Sequence, residues 1–130
     1  IDQEIEAMEK DGTLLGFTCI INESRTSDSF VRALIEIQIN PEKDKGFDHI
    51  AKKIFEFPNV IDHYLISGSY DFLVIVTGTN LQEISAFVFD NLATIDQVTS
   101  TKTHFIMKNY KQNGIVLPET LIPSILPVSP

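Results

Sequence analysis

Few side chains in this chain have the potential for chemistry, and most have an ordinary structural explanation. His49, His63 and His104 have no metal-type spacing to one another, to the cysteine or to a carboxylate, so we expect each to be a helix-surface or strand side chain. Cys19 is the single cysteine and is expected to be a small buried hydrophobic residue. No Ser-His-Asp or Cys-His set is suggested by position.

Asp71 is the residue most open to a role in binding. It follows Gly68 in the segment Ser67–Asp71, which separates two apolar runs, Val60–Ile66 and Tyr70–Val76. Glycine supplies the backbone freedom that a tight reversal needs, so the pattern predicts a β-hairpin. An acid at the tip of a hairpin either forms the turn or serves as a polar anchor in a binding loop. The residues by themselves leave these two interpretations equally open.

The arms of this hairpin are joined to two helices and two further strands. Upstream, the alternation in Ala33–Ile39 predicts a strand, and apolar positions within 47–55 predict an amphipathic helix. Downstream, Leu81–Leu92 carries a second apolar stripe, and Val98–Met107 predicts the last strand. The order βαββαβ predicts an α+β, ferredoxin-like sandwich in which both helices cover one face of a four-stranded antiparallel sheet.

Length, composition and charge narrow the class of protein. With 130 residues and 43% hydrophobic residues, the chain is expected to hold one compact domain plus extensions, and no stretch is apolar enough to span a bilayer. The acidic start and the lone cysteine do not resemble a signal peptide or a disulfide framework, so we expect a cytoplasmic protein without a membrane partner. The net charge of -8 argues against a nucleic-acid surface on this chain itself.

The flanking segments complete the predicted organisation. Residues 1–29 are predicted to hold the end of a helix that Gly12 terminates, a short strand at Phe17–Ile21 and a polar linker; the family resemblance below implies that the helix is a DNA-binding one. Residues 30–112 are predicted to form the effector-binding and oligomerisation domain that the family resemblance below implies. Residues 113–130, apolar but interrupted by prolines, predict an extended C-terminal arm that lies across a neighbour.

The predicted central strands are apolar on both faces. The helices can cover one face of the sheet, so the other face needs a partner, and a self-complementary dimer is the economical solution. Positions of the type Leu34, Leu65 and Leu73 are expected to be buried in that dimer.

Several motifs resemble those of the Lrp/AsnC family, the leucine-responsive and asparagine-responsive regulators. Gly68-Ser69-Tyr70-Asp71 is similar to the family's G-x-Y-D turn. Residues 46–51 resemble the start of its first effector-domain helix, and 57–60 its helix-to-strand turn. Residues 5–18 resemble the join between its DNA-reading helix and linker strand, and 100–105 its last strand. The resemblance covers nearly the whole chain.

This resemblance implies a βαββαβ domain that dimerises through its sheet and assembles dimers into rings such as octamers. It implies a small effector, commonly an amino acid, bound between dimers by Gly68, Ser69, Tyr70 and Asp71, with Thr101 and Thr103 as further candidates. Backbone N–H groups near a glycine suit a carboxylate, and an aspartate suits an ammonium group. DNA is contacted in this family through a helix-turn-helix, of which the first helices are missing here.

Two other functions stay open. A ferredoxin-like metabolite-binding module or small enzyme unrelated to transcription would need polar groups clustered at the sheet, where His63 and His104 are the plausible candidates. A purely structural assembly module would need no ligand. The family resemblance favours a regulator over both alternatives, so we expect a non-enzymatic regulator domain without a metal or cofactor.

Overall fold

The computed structural model describes residues 1–22, 30–41 and 46–118. These residues form two compact units. One unit holds residues 30–109, and the other holds 1–22 together with 110–118. In chain order the elements are α1 (Asp2–Lys10), β1 (Val31–Ile39), α2 (Gly46–Phe55), β2 (Val60–Leu65), β3 (Phe72–Gly78), α3 (Leu81–Phe87), a π-helical turn (Val88–Leu92), β4 (Val98–Phe105), β5 (Lys111–Gln112) and β6 (Ile115–Val116).

The larger unit is a four-stranded antiparallel sheet in the order β2-β3-β1-β4. Its strand and helix order is βαββαβ, so the predicted ferredoxin-like fold is confirmed. The two central strands, β1 and β3, pair from Val31 with Gly78 to Ile37 with Phe72. This places the hairpin between β2 and β3 at the end of β1.

One face of the sheet packs against both helices and forms the core. Alternate residues of β1 and β3 point into this core, because successive side chains of a strand lie on opposite faces. The core consists of buried apolar residues from both the strands and the helical segments. They are Ala33, Ile35, Ile37, Ile39, Phe72, Val74 and Val76 from the strands, and Ile50, Ile54, Ile84, Phe87, Val88 and Leu92 from the helices.

The second helical segment begins at a side-chain cap and ends in a wider turn. Asn80 accepts a hydrogen bond from the backbone N–H of Glu83 (2.7 Å), and the Glu83 carboxylate accepts one from the N–H of Thr79 (2.9 Å). The sequence predicts one continuous helix over 81–92, but the structure changes to π geometry, in which Ala93 N–H donates to the Val88 carbonyl. Phe87 and Val88, where the geometry changes, are both buried in the core.

The uncovered face of the sheet, which we call the open face, differs in detail from the prediction. Leu34 and Leu73 lie on it, half-buried, as expected. An irregularity between Val60 and Asp62 shifts the register of β2, so that Asp62 and Tyr64 are on this face. Leu65 is instead paired with Phe72, a core residue, so the prediction that Leu65 lies on the open face is wrong.

The smaller unit contains α1, which ends as its glycine predicts. Gly12 has a φ of +86°, its N–H donates to the Glu9 carbonyl, and the N–H of Thr13 donates to the Met8 carbonyl. These two bonds form a Schellman motif, which satisfies carbonyls that the helix end leaves free. Residues 17–21 form no strand, since no described segment pairs with them, and Cys19 is exposed rather than buried.

A short hairpin forms the rest of the smaller unit. Asn113 and Gly114, with φ of 49° and 82°, connect β5 to β6, and Leu117 N–H donates to the Tyr110 carbonyl. Asn-Gly favours this two-residue turn because both positions need positive φ. The predicted arm over 113–130 therefore starts, in its described part, as a strand that folds back. Residues 119–130 lie outside the described residues.

Candidate functional site

The turn between β2 and β3 is closed by a backbone hydrogen bond and contains a glycine at positive φ. Ile66 N–H donates to the Asp71 carbonyl at 2.8 Å, which brings the two ends of the segment together. Gly68 has a φ of +154°, a region that residues with a side chain rarely adopt. A Cβ atom at Gly68 would meet nothing within 4 Å, so backbone conformation and not crowding selects glycine here.

Asp71 attaches this turn to the end of β1 by two further bonds. Its backbone N–H donates to the Ile37 carbonyl at 3.0 Å, and its carboxylate Oδ2 accepts from the backbone N–H of Ile39 at 2.9 Å. Both partners belong to a strand more than thirty positions earlier in the chain. The structural role that the sequence allowed for Asp71 is thus present, and Oδ1 has no recorded partner in the described part of the chain.

Gln38 links the same turn to the edge strand β4. Its Nε2 donates to the Ser69 carbonyl at 2.7 Å, and its Oε1 accepts from the Ser100 hydroxyl at 2.9 Å. Gln38 and Ser100 are directly opposite each other in the sheet. The register shifts just beyond this pair, where the Thr99 hydroxyl donates to the Gln38 carbonyl at 3.1 Å. Such irregularities in a sheet often lie beside functional sites.

The tip of the turn carries backbone donors that are available to a ligand. Among the described residues, none accepts a hydrogen bond from the backbone N–H groups of Ser67, Gly68, Ser69 or Tyr70. Ser67, Gly68 and Ser69 are exposed, and Tyr70 is half-buried. The arrangement offers several N–H groups to an anion, next to a carboxylate that can pair with a cation.

Thr101 and Thr103 are not in this network. They are paired with Ile37 and Ile35, so their side chains are on the helix-covered face of β4. Gln38 and Ser100 are on the open face, and it is Ser100 that connects β4 to the turn. The sequence does not indicate a role for Gln38 and Ser100, because a polar pair across two strands is visible only once the register is known.

The histidines do not form a site with one another. Both ring nitrogens of His63 are buried and have no hydrogen-bond partner among the described residues, and the ring packs edge-on against Phe72 with centroids 4.6 Å apart. Burial lowers the pKa of His63. His104 Nε2 lies 2.9 Å from the Glu36 carboxylate on the open face. Within residues 1–22, 30–41 and 46–118, no three metal-ligating side chains are grouped as a metal site requires.

A concave surface lies at the end of β3 that is farther from the turn. It is a wide, open groove bordered by Phe30, Asn59, Thr77 and Glu83 among others. The Glu83 carboxylate is already bonded to Thr79, and Asn59 Nδ2 donates to the Thr77 carbonyl at 3.3 Å. The groove is therefore a weaker candidate than the turn.

Comparison with known proteins identifies the family. A model of the Lrp/AsnC ligand binding domain matches residues 32–116. The chain belongs to the Lrp/AsnC family. The family assignment made from the G-x-Y-D turn and its flanking motifs is thereby confirmed, and the match covers most of the larger unit and continues into residues 110–116 of the smaller one.

Relatives in this family are transcriptional regulators. The helix-turn-helix-type regulator YugG of Bacillus subtilis is 36% identical over 113 residues, covering 86% of this chain and 68% of the relative. The regulator LysM of Saccharolobus solfataricus is 30% identical, covering 85% of this chain and 72% of the relative. These are regulators and not enzymes by name, and the function is that of the ligand-binding domain of such a regulator.

Solved structures show the same fold. Escherichia coli AsnC superposes with a TM-score of 0.66 at 20% identity, covering 85% of this chain and 72% of that one. A transcriptional regulator of Neisseria meningitidis, in complex with L-methionine, superposes with a TM-score of 0.67 at 23% identity, covering 89% of this chain and 73% of that one. Among the described residues, no helix combines the length and apolarity needed to cross a membrane.

Proposed function

We propose that the turn Ser67–Asp71 binds a small effector that carries a carboxylate and an ammonium group, such as an amino acid. The observation that carries this proposal is the pairing, within five residues, of available backbone N–H groups with the Asp71 carboxylate. The N–H groups suit the carboxylate of the effector, and the oxygen of Asp71 that Ile39 does not use suits its ammonium group. The L-methionine bound to the Neisseria relative belongs to the same chemical class.

We further propose that the protein acts as a dimer joined through the open face, with dimers assembled into rings. The half-buried aliphatic side chains of Leu34, Leu73 and Ile75 are adjacent across β1 and β3 on that face. A contiguous apolar surface of this kind is stabilised by contact with a second copy. The effector turn is then positioned to report occupancy to a neighbouring dimer, as the family resemblance implies.

In this proposal the domain senses and assembles, and DNA is bound elsewhere in the regulator. The net charge of -8 is unfavourable for phosphate contacts by this chain itself. A helix-turn-helix outside this sequence would read the operator, and the effector would change how the domains that carry it are arranged. Catalysis forms no part of the proposal.

The proposal is tested by measuring the melting temperature of the 130-residue chain with each of the twenty L-amino acids in turn. A true effector raises the melting temperature further as its concentration rises above its Kd, because a ligand that binds only the folded state stabilises it by RT ln(1 + [L]/Kd). Asp71→Asn should abolish most of the shift, whereas Asp90→Asn, which makes the same charge change on an exposed helical residue, should retain it. Absence of a shift with every amino acid would contradict the amino-acid class.

A further inference from the structure

Gln38 makes side-chain bonds on both sides of β1, and it does so at the level of the effector turn. Its amide N–H reaches the Ser69 carbonyl, and its amide oxygen receives the Ser100 hydroxyl. The two bonds fix both ends of the amide group, so its orientation is determined by the hydroxyl on β4. The turn is held by backbone atoms at its base and by this side chain near its tip.

We infer that Gln38 is the positioning residue of the effector turn. This inference rests on the proposed function for what the turn binds, but not for how the turn is held. By drawing the Ser69 carbonyl toward β1, Gln38 orients the peptide that joins Ser69 to Tyr70, and hence the Tyr70 N–H on the opposite side of that peptide. A loose turn would present its donors in many orientations, and ordering them would then cost effector affinity.

The geometry separates this role from general stability. Gln38 is exposed, and its side chain contributes nothing to the core behind β1. The core neighbours Ile37 and Ile39 are buried on the other face of the strand. Removing the amide should therefore loosen the turn and leave the rest of the fold intact.

The test is hydrogen exchange, read by mass spectrometry, in a proteolytic peptide that begins at least two residues before Ile66 and covers residues 66–71. Two amides in it, those of Ile66 and Asp71, are bonded at the base of the turn and report its opening. Gln38→Met keeps the size and removes both bonds, and exchange of these two amides should become roughly fivefold faster. Gln38→Glu places a carboxylate against the Ser69 carbonyl and should accelerate exchange further, whereas Gln38→Lys retains a donor and should lie nearest the wild type.

The matched controls are Gln82→Met, Gln82→Glu and Gln82→Lys, on an exposed position of α3. These should change neither exchange in the turn nor the melting temperature. Ser100→Ala should accelerate exchange less than Gln38→Met, and should add little to it in the double variant, since both act through one amide. Unchanged exchange in Gln38→Met, with the fold intact, would overturn the inference.

Effector affinity separates this inference from the proposed function. If Gln38→Met loosens the turn and also weakens an amino acid that binds the wild type, both stand. If the turn loosens while that affinity is unchanged, Gln38 positions the turn but the effector binds elsewhere, and the proposed site is wrong. If no amino acid binds, the exchange result still decides the role of Gln38.

Discussion

The carboxylate of Asp71 accepts a hydrogen bond from the backbone N–H of Ile39, 2.9 Å away and 32 positions earlier in the chain. This bond joins the G-x-Y-D turn to the end of the central strand β1. Asp71 therefore has a structural duty that does not depend on any ligand. It also leaves one carboxylate oxygen free of recorded partners in the described residues, so a structural and a binding role are compatible in one side chain.

Two substitutions at Asp71 should separate these roles. Asp71→Asn keeps an oxygen that can accept from Ile39, so the free energy of unfolding should change by less than about 1 kcal/mol. The same variant should weaken an ammonium-bearing effector by about 1.5–3 kcal/mol. Asp71→Ala leaves the Ile39 N–H without its acceptor and should cost about 1–3 kcal/mol of stability. Calorimetric titration and urea unfolding give the two quantities, and equal stability of Asn and Ala variants would refute the structural role.

The backbone at Gly68 makes a different prediction. Gly68→Val forces a β-branched residue to a φ of +154° and should destabilise the turn by about 1–3 kcal/mol. Gly16→Val is the control, since that glycine has an ordinary φ and open space around its Cβ position. Denaturant unfolding should show a loss for Gly68→Val and little change for the control. Equal losses would mean that the conformation of the turn is not what selects glycine.

Close packing at Gly78 should be detectable in the same way. A Cβ atom there would lie 2.9 Å from Cγ1 of Ile84, which is buried where α3 crosses the end of β3. Gly78→Ala should therefore destabilise the fold by about 1–3 kcal/mol through overpacking. Placing Ile84→Ala in the same chain removes the clashing atom, so the added cost of Gly78→Ala should shrink. Additive losses in the double variant would argue against a clash.

The pH dependence of stability should carry a contribution from His63. Burial lowers the pKa of His63 from its ordinary value of 6.5, so the folded chain resists a proton that the unfolded chain accepts. Stability should therefore fall as the pH drops below about 6.5 and continue to fall until the pH passes the folded-state pKa. Above that window His63 is neutral in both states and makes no pH-dependent contribution.

The measurement compares urea unfolding at about pH 7.5 and about pH 5.5. His63→Phe, which keeps a ring against Phe72 but cannot titrate, should lose less stability over this interval than the wild type. His49→Gln removes an exposed histidine of α2 and should behave as the wild type does. If His63→Phe loses as much stability between these two pH values as the wild type does, groups other than His63 dominate the pH dependence.

Assembly should depend on the open face. Ile75→Glu introduces a negative charge at the centre of the surface proposed to join two copies, beside Leu34 and opposite Asp62, which cannot pair with it. A charge buried without a partner costs several kcal/mol, about 3–5 when one member of a pair is lost, so the dimer should dissociate. Gln82→Glu, on the exposed surface of α3, should leave the mass measured by light scattering unchanged. A wild-type chain that is monomeric at micromolar concentration would contradict the proposed dimer.

Much of this structure was accessible from local patterns in the sequence. The period-2 alternation of Ala33–Ile39 and the helical spacing within 47–55 placed β1 and α2, because each element must bury one regular set of side chains. Gly12 ended α1 for the conformational reason expected of it. Asn113-Gly114 is a local hairpin signal, and the structure has the hairpin β5–β6 at the point where the extended arm over 113–130 is predicted to begin.

Other features depended on which residues meet across strands. The alternation of β2 predicts Leu65 on the open face, yet its face follows from the strand register, which an irregularity at 60–62 shifts in β2. A one-residue shift moves every side chain of a strand to the opposite face, and no local pattern reveals it.

The sequence by itself determined the family, the order of elements and the glycine turn, because short runs of neighbouring residues indicate each of these. The tertiary structure alone decided how that turn is held. Gln38 is 31 positions from Ser69 and 62 from Ser100, and Asp71 is 32 from Ile39. Bonds between residues so far apart in sequence exist only after the sheet has aligned β1 between β3 and β4, since that alignment sets the distance and face of every partner.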